Sequence, residues 1–197
     1  TILGAYVLSS KNVYWSPVIM LMIIFTMYFQ GGLIPTYLNI KRLGLYDTLW
    51  SVILPVAVNT FNLIIMRTAF ASIPDSLLES ADLDGAGELT KIFRIALPLV
   101  SSTLAVMVLY YGVAHWNSWF TASIYIRDKE MQPLQVILRE ILILNETSAM
   151  QGGDTGLYLG ENIKYATIVV VMTPILIIYP MLQKYFTKGV MIGAVKG

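Results

Sequence analysis

Glu79, Asp82 and Asp84 stand in a run of small and helix-forming residues, Glu79-Ser80-Ala81-Asp82-Leu83-Asp84-Gly85, followed after nine residues by Ile95-Ala96-Leu97-Pro98. Glu79 can pair with a basic group. Ser80 and Ala81 let a second surface approach closely, and Gly85 adopts positive φ without strain. The chemistry this stretch offers is recognition by a partner in the water phase. A second constellation is Asn59 and Asn62, which with Pro55 and Met66 fall at i, i+4, i+7 and i+11 of a helix. Polar side chains among apolar residues of a membrane span either line a water-filled path, where they hydrogen-bond substrate hydroxyls, or bond neighbouring helices. A third is His115, Trp116, Asn117 and Trp119. Its aromatic faces can stack on a ring-shaped ligand or form an interfacial belt. One histidine makes no metal site, cysteine is absent, and no His, Asp or Glu cluster sits inside the apolar runs, so no catalytic or metal-binding residue is assigned.

The elements that must position these residues are membrane helices. The chain has 197 residues, 56% hydrophobic and 13% charged, against about 25% charged in soluble domains. Four runs carry no Asp, Glu, Lys or Arg: residues 12–40, 48–66, 95–126 and 165–183. A crossing helix needs roughly 20 apolar residues, so each run is expected to span. The first run is expected to be a span over 15–30 followed by a short interfacial helix or loop over 33–47. The first ten residues read as the tail of a helix, and the chain begins with Thr, so an N-terminally incomplete sequence is expected. A single domain over 1–197 is expected, with a polar loop at 72–94, a long loop at 127–164 and a tail at 184–197. Within the long loop, Leu134, Ile137, Leu138, Ile141 and Leu142 have helical spacing.

Charge does not orient the chain. If the 72–94 loop is cytoplasmic, seven Lys and Arg lie inside and six outside, which is no bias under the positive-inside rule. The loop itself reads as two short helices. Ser72 is placed to cap the first, with Asp75 three residues on and Pro74 in the first turn. Ile73, Leu77 and Ala81 share one face, and Gly85 ends the helix. Leu89, Ile92, Phe93 and Ala96 then sit at i, i+3, i+4 and i+7. Such a pattern fits a loop that lies on its own protein as well as one that docks a partner.

The spacing Glu-Ser-Ala, three residues, Gly, nine residues, Ile-x-Leu-Pro resembles the EAA loop of type I ABC-importer permeases, which has Glu-Ala-Ala at its start. Ser80 is the one departure, small for small. Gly31-Gly32-Leu33-Ile34-Pro35-Thr36, His115-Trp116-Asn117-Ser118-Trp119-Phe120, Gln132-Pro133-Leu134-Gln135 and Gly193-Ala194-Val195-Lys196-Gly197 are similar to permeases of carbohydrate importers. The likeness covers essentially the whole chain.

The resemblance implies an all-α fold, a polytopic membrane helix bundle with a cytoplasmic coupling helix, in a bacterial inner or plasma membrane. It implies a non-catalytic permease subunit of an ATP-driven importer of oligosaccharides or polysaccharide fragments. Glu79, Ser80, Ala81 and Gly85 would be the ATPase contact, and Asn59, Asn62, Met66, Trp116 and Trp119 the candidate substrate pathway. The implied partners are a cytoplasmic ABC ATPase dimer, a second permease subunit, an extracellular substrate-binding protein and membrane lipid, with no nucleic acid. ATP and Mg would sit on the ATPase and no cofactor on this chain, which has no Gly-x4-Gly-Lys-Ser/Thr phosphate cradle. In some relatives the C-terminal tail also touches the ATPase pair; otherwise 184–197 is a solvated end. The competing classes are a non-sugar importer of the same type, an ion-coupled transporter, which would prefer charges inside the spans, and a membrane enzyme.

Overall fold

The computed structural model describes the backbone of residues 1–151 and 154–194, and the side chains in that range outside 145–161, 182 and 184–194. The chain is all-α, with no strand among the described residues. In order, the helices are α1 (Ile2–Ser9), α2 (Ser16–Tyr28), α3 (Leu33–Arg42), α4 (Trp50–Ile53), α5 (Thr60–Ala71), α6 (Asp75–Leu83), α7 (Glu88–Thr90), α8 (Leu97–Leu99), α9 (Ser101–Trp116), α10 (Trp119–Tyr125), α11 (Leu134–Gln151) and α12 (Asp154–Ala194).

One uninterrupted stretch is long and apolar enough to cross a membrane, Asn162–Met181 of α12. Three more pass only when two consecutive helices are joined across a break, giving up to four spans among the described residues. Three of the four charge-free runs are therefore not single helices. The run over 12–40 divides at Phe29–Gly32 as expected. The run over 48–66 divides because Asn59 leaves helical φ/ψ and caps α5, its side-chain oxygen accepting from the Asn62 N–H at 3.1 Å. The run over 95–126 turns by 90° between Glu88–Leu99 and Ser101–Trp116. Pro98 has no N–H for the Arg94 carbonyl, and the helix widens to a π-helical turn over Lys91–Ala96 just before it. The segment 127–164 is not a bare loop, since it holds α11 and the start of α12.

The chain divides into two compact units. One comprises Thr1–Gly32, Val56–Tyr110 and the end of α12 from Leu182; the other comprises Leu33–Pro55 and Tyr111–Met181. In the first, Ala5 and Leu8 of α1, Met20 of α2, and Leu63, Met66 and Phe70 of α5 form an apolar core with Ile73, Ala96, Val100 and Met107. The Leu8 carbonyl at the end of α1 accepts from the Arg67 guanidinium at 3.0 Å and from the Ser16 hydroxyl at 2.7 Å. The helix end is thereby satisfied inside the unit, and a cation lies at the negative pole of α1.

In the second unit the turn between α3 and α4 is locked onto the end of α10. Asp47 sits at φ 60°, a region that non-glycine residues seldom occupy. Its N–H donates to the Tyr125 carbonyl at 2.9 Å, and its carboxylate accepts from the N–H groups of Arg127 and Asp128 at 2.7 and 3.0 Å. The Tyr37 ring lies against Tyr125 and Tyr46, and the Arg127 guanidinium lies over Tyr46. The Asp128 and Arg127 N–H groups hold the Asp47 carboxyl below the usual carboxylate range. A depressed carboxyl stabilises the fold above its unfolded value, about 3.9, and that contribution is lost as pH falls through the folded value. Asp47→Asn, which tolerates the same backbone, is expected to melt below the parent at neutral pH. The gap should narrow as pH is lowered through 4 toward 3, as followed by thermal denaturation in detergent.

Candidate functional site

The polar helix α6 is built differently at its start and its end. Ser72 does not cap it. That residue closes α5, with its hydroxyl donating back to the Ala69 carbonyl at 2.7 Å. Pro74 stands at the N-cap of α6 without a side-chain bond. Proline's fixed φ suits a helix start, and it has no N–H to leave unpaired there. Asp75 supplies negative charge in the first turn and pairs with Lys11 at 2.5 Å. The far end is a Schellman motif. The Ala86 N–H donates to the Ala81 carbonyl at 2.9 Å and the Gly85 N–H to the Asp82 carbonyl at 3.0 Å, with Gly85 at φ 75°.

The helix has two faces. Ser76, Glu79, Ser80 and Leu83, at i, i+3, i+4 and i+7, are all exposed, and Leu83 reaches 90% exposure. The Ser80 hydroxyl donates to the Ser76 carbonyl at 2.7 Å, so it presents little beyond a small side chain. The inner face carries Leu78, packed on the apolar core, and Ala81, 6% exposed. Two readings from the sequence change here. Leu77 is exposed, so Ile73, Leu77 and Ala81 do not form one buried face. Ala81 is turned into its own unit, so its small size lets α6 pack against the body of the chain. Of the four residues assigned to the contact, Glu79, Ser80 and Gly85 are exposed and Ala81 is not.

Behind α6 lies a brace that sequence spacing did not reveal. Lys91, with 7% of its side chain exposed, donates to Asp82 of α6 at 2.6 Å and pairs with Glu88 of α7 at 2.5 Å. Both carboxylates remain more than half exposed. The Tyr6 hydroxyl of α1 donates to the other oxygen of Glu88 at 3.4 Å. A cleft of about 520 Å³ lies there, lined in part by Tyr6, Phe70, Leu78, Glu79 and Lys91. Downstream, Ile92 and Ala96 are buried while Leu89 and Phe93 are exposed. The four do not share a face, because the π-helical turn shifts the period.

The pathway candidates scatter. Asn59 caps α5, Asn62 is buried, and Met66 is fully buried in the core. The break before α5 removes the common face with Pro55, and Met66 has no surface with which to line a path. Trp116 and Trp119 are half-buried. The Trp116 indole N–H donates to the Val171 carbonyl at 3.1 Å, and the Arg139 guanidinium lies 3.4 Å from the centre of the Trp119 ring, a cation–π contact that covers one aromatic face. The tail at 184–197 lies outside the residues whose side chains are described, and its backbone continues α12 to Ala194.

The family model for the inner membrane component of binding-protein-dependent transport systems matches residues 10–192. The chain is 44% identical over 200 residues to the polygalacturonan/rhamnogalacturonan transport system permease protein YtcP of Bacillus subtilis, covering 99% of this chain and 69% of that one. It is 45% identical over 195 residues to Protein LplC of the same organism, covering 98% and 66%. A crystal structure of a bacterial ABC transporter involved in the import of the acidic polysaccharide alginate superposes with a TM-score of 0.80 at 34% identity, over 94% of this chain and 67% of that one. The chain thus spans about two thirds of the length of the relatives it matches. A match that runs from residue 10 to residue 192, on an all-α fold shared with a solved transporter, makes this chain a member of the bacterial family of binding-protein-dependent transport system inner membrane components.

Proposed function

We propose that this chain is the membrane-spanning subunit of an ATP-driven importer of oligosaccharides, and that α6 is the helix through which a separate cytoplasmic ATPase drives it. The observation that carries the reading is the exposed face Ser76, Glu79, Ser80 and Leu83 on a helix fixed at its end by Gly85 and from behind by Lys91. A 90% exposed leucine beside an exposed carboxylate suits a partner groove with an apolar floor and a basic rim. Gly85 and Lys91 keep that face at a set angle to the chain behind it. The contact is therefore assigned to Glu79, Ser80, Leu83 and Gly85, with Ala81 holding the helix to its own unit.

The relatives support a substrate class. One is a polygalacturonan/rhamnogalacturonan permease and another belongs to an alginate importer. Both polymers are rich in uronic acids, so we infer an acidic oligosaccharide as cargo, delivered by an extracellular binding protein and carried with a second permease subunit. Trp116 and Trp119 keep exposed surface and stay in the proposed pathway; Asn59, Asn62 and Met66 are assigned to the fold.

Leu83→Asp places a charge at the centre of the contact while leaving an exposed position exposed. It is expected to reduce co-purification of the ATPase at least tenfold, with the subunit still inserted and thermally unchanged. Uptake of labelled galacturonan fragments should fall in parallel. Full ATPase recovery with Leu83→Asp would sink the docking face, and uptake of neutral but not acidic fragments would sink the cargo assignment alone.

A further inference from the structure

We propose that the end of α3 is a binding site for the phosphate headgroup of an anionic phospholipid. Pro35, Leu38, Asn39, Lys41 and Arg42 line an open cleft of about 680 Å³. Among the described residues it is lined by two cations, one amide and two apolar side chains, with no carboxylate.

The cations are available. Lys41 and Arg42 are exposed and have no carboxylate partner among the described residues, whereas Lys11 and Lys129 are each held by one and Lys91 by two. Nor do they serve to close their own helix. The α3 carbonyls are closed by the backbone, the Leu45 N–H donating to Ile40 at 3.1 Å and the Gly44 N–H to Lys41 at 3.2 Å, with Gly44 at φ 69°. The macrodipole favours cations at this end without neutralising them, so an anion is still wanted there.

The apolar side fits a lipid better than a free ion. Ile34 and Leu38, at i and i+4, are large and exposed, and Lys41 and Arg42 follow at i+7 and i+8 on the same face. From Ile34 to Lys41 is about 10 Å along the helix, enough to set acyl carbons beside the first residues and the phosphate beside the last. In an inner membrane protein, basic side chains at the end of such a helix reach the headgroup layer.

The test uses the intact transporter complex, stripped of lipid and titrated with phosphatidylglycerol or phosphatidylcholine in nanodiscs, with bound lipid counted by native mass spectrometry. Each cation near a charged surface contributes about a fivefold preference. Lys41→Gln with Arg42→Gln is therefore expected to retain phosphatidylglycerol about 30-fold less well, and Lys129→Gln should retain it as the parent does. Inorganic phosphate in millimolar excess should not displace it. Equal retention by the double variant and the parent overturns the proposal. So does displacement by phosphate, which would make the cleft a simple anion site.

Discussion

Gly85→Val is expected to cut uptake about tenfold, with Gly85→Asn close to the parent. Gly85 holds φ 75°, and a Cβ built on it meets nothing within 4 Å. Within this chain the Cβ meets no neighbour, so the effect on α6 itself comes from the backbone. An L-residue in the left-handed region costs about 1–2 kcal/mol, more for a β-branched side chain, while asparagine tolerates it. The conformation is what lets Gly85 and Ala86 close the last carbonyls of α6. If valine abandons it, Leu83 and Glu79 change direction together. Comparing valine with asparagine in an uptake assay, with membrane insertion checked by blotting, separates backbone geometry from side-chain bulk. Equal uptake by both variants would remove the turn from the mechanism.

The second large effect is expected at Lys91. Lys91→Met keeps the length and removes the ammonium that joins Asp82 to Glu88. Because both carboxylates are more than half exposed they regain water, so the loss is about 1–2 kcal/mol, below that of a wholly buried pair. We expect ATPase binding to persist and the ratio of ATP hydrolysed to substrate imported to rise several-fold, since α6 would move without dragging the turn behind it. Lys91→Arg should restore the ratio in large part. The exposed pair Lys11 and Asp75 is the comparison, and Lys11→Gln should leave the ratio alone. A ratio unchanged in Lys91→Met would reduce the brace to a packing detail.

What the sequence made legible was local. The stop at Gly85, the short helix before it and the division after α2 follow from residue type and near spacing, and all three stand in the structure. Ser72 was misread because α5 runs on to Ala71 and claims the hydroxyl for its own last turn. Ile73, Leu77 and Ala81 were read as sharing one face, but Ile73 lies before the helix and Leu77 is exposed while Ala81 is buried. Freedom from charge marks an apolar run but carries no information about a bend, so the breaks at Asn59 and after Pro98 went unseen. The brace at Lys91 reaches back nine residues to Asp82, across the break at Gly85, and a π-helical turn that no fixed period anticipates follows it. The Asp47 clamp joins residues 80 apart, beyond any pattern read along the chain.

That clamp also sets an order of assembly in the cell. Residues 56–110 belong to one unit, yet they are interposed between the two parts of the other that Asp47 and Arg127 fasten together. A ribosome adds about 5–20 residues per second, so Asp47 waits on the order of 4–16 s for its donors to be made. Throughout that interval the turn after α3 is held only by its own short-range bonds. Of the first unit, α1 and α2 are already made and α5 follows closely, so these three can pack first. The translocation machinery must therefore tolerate a nascent chain in which these three helices have packed while the turn after α3 is still unclamped.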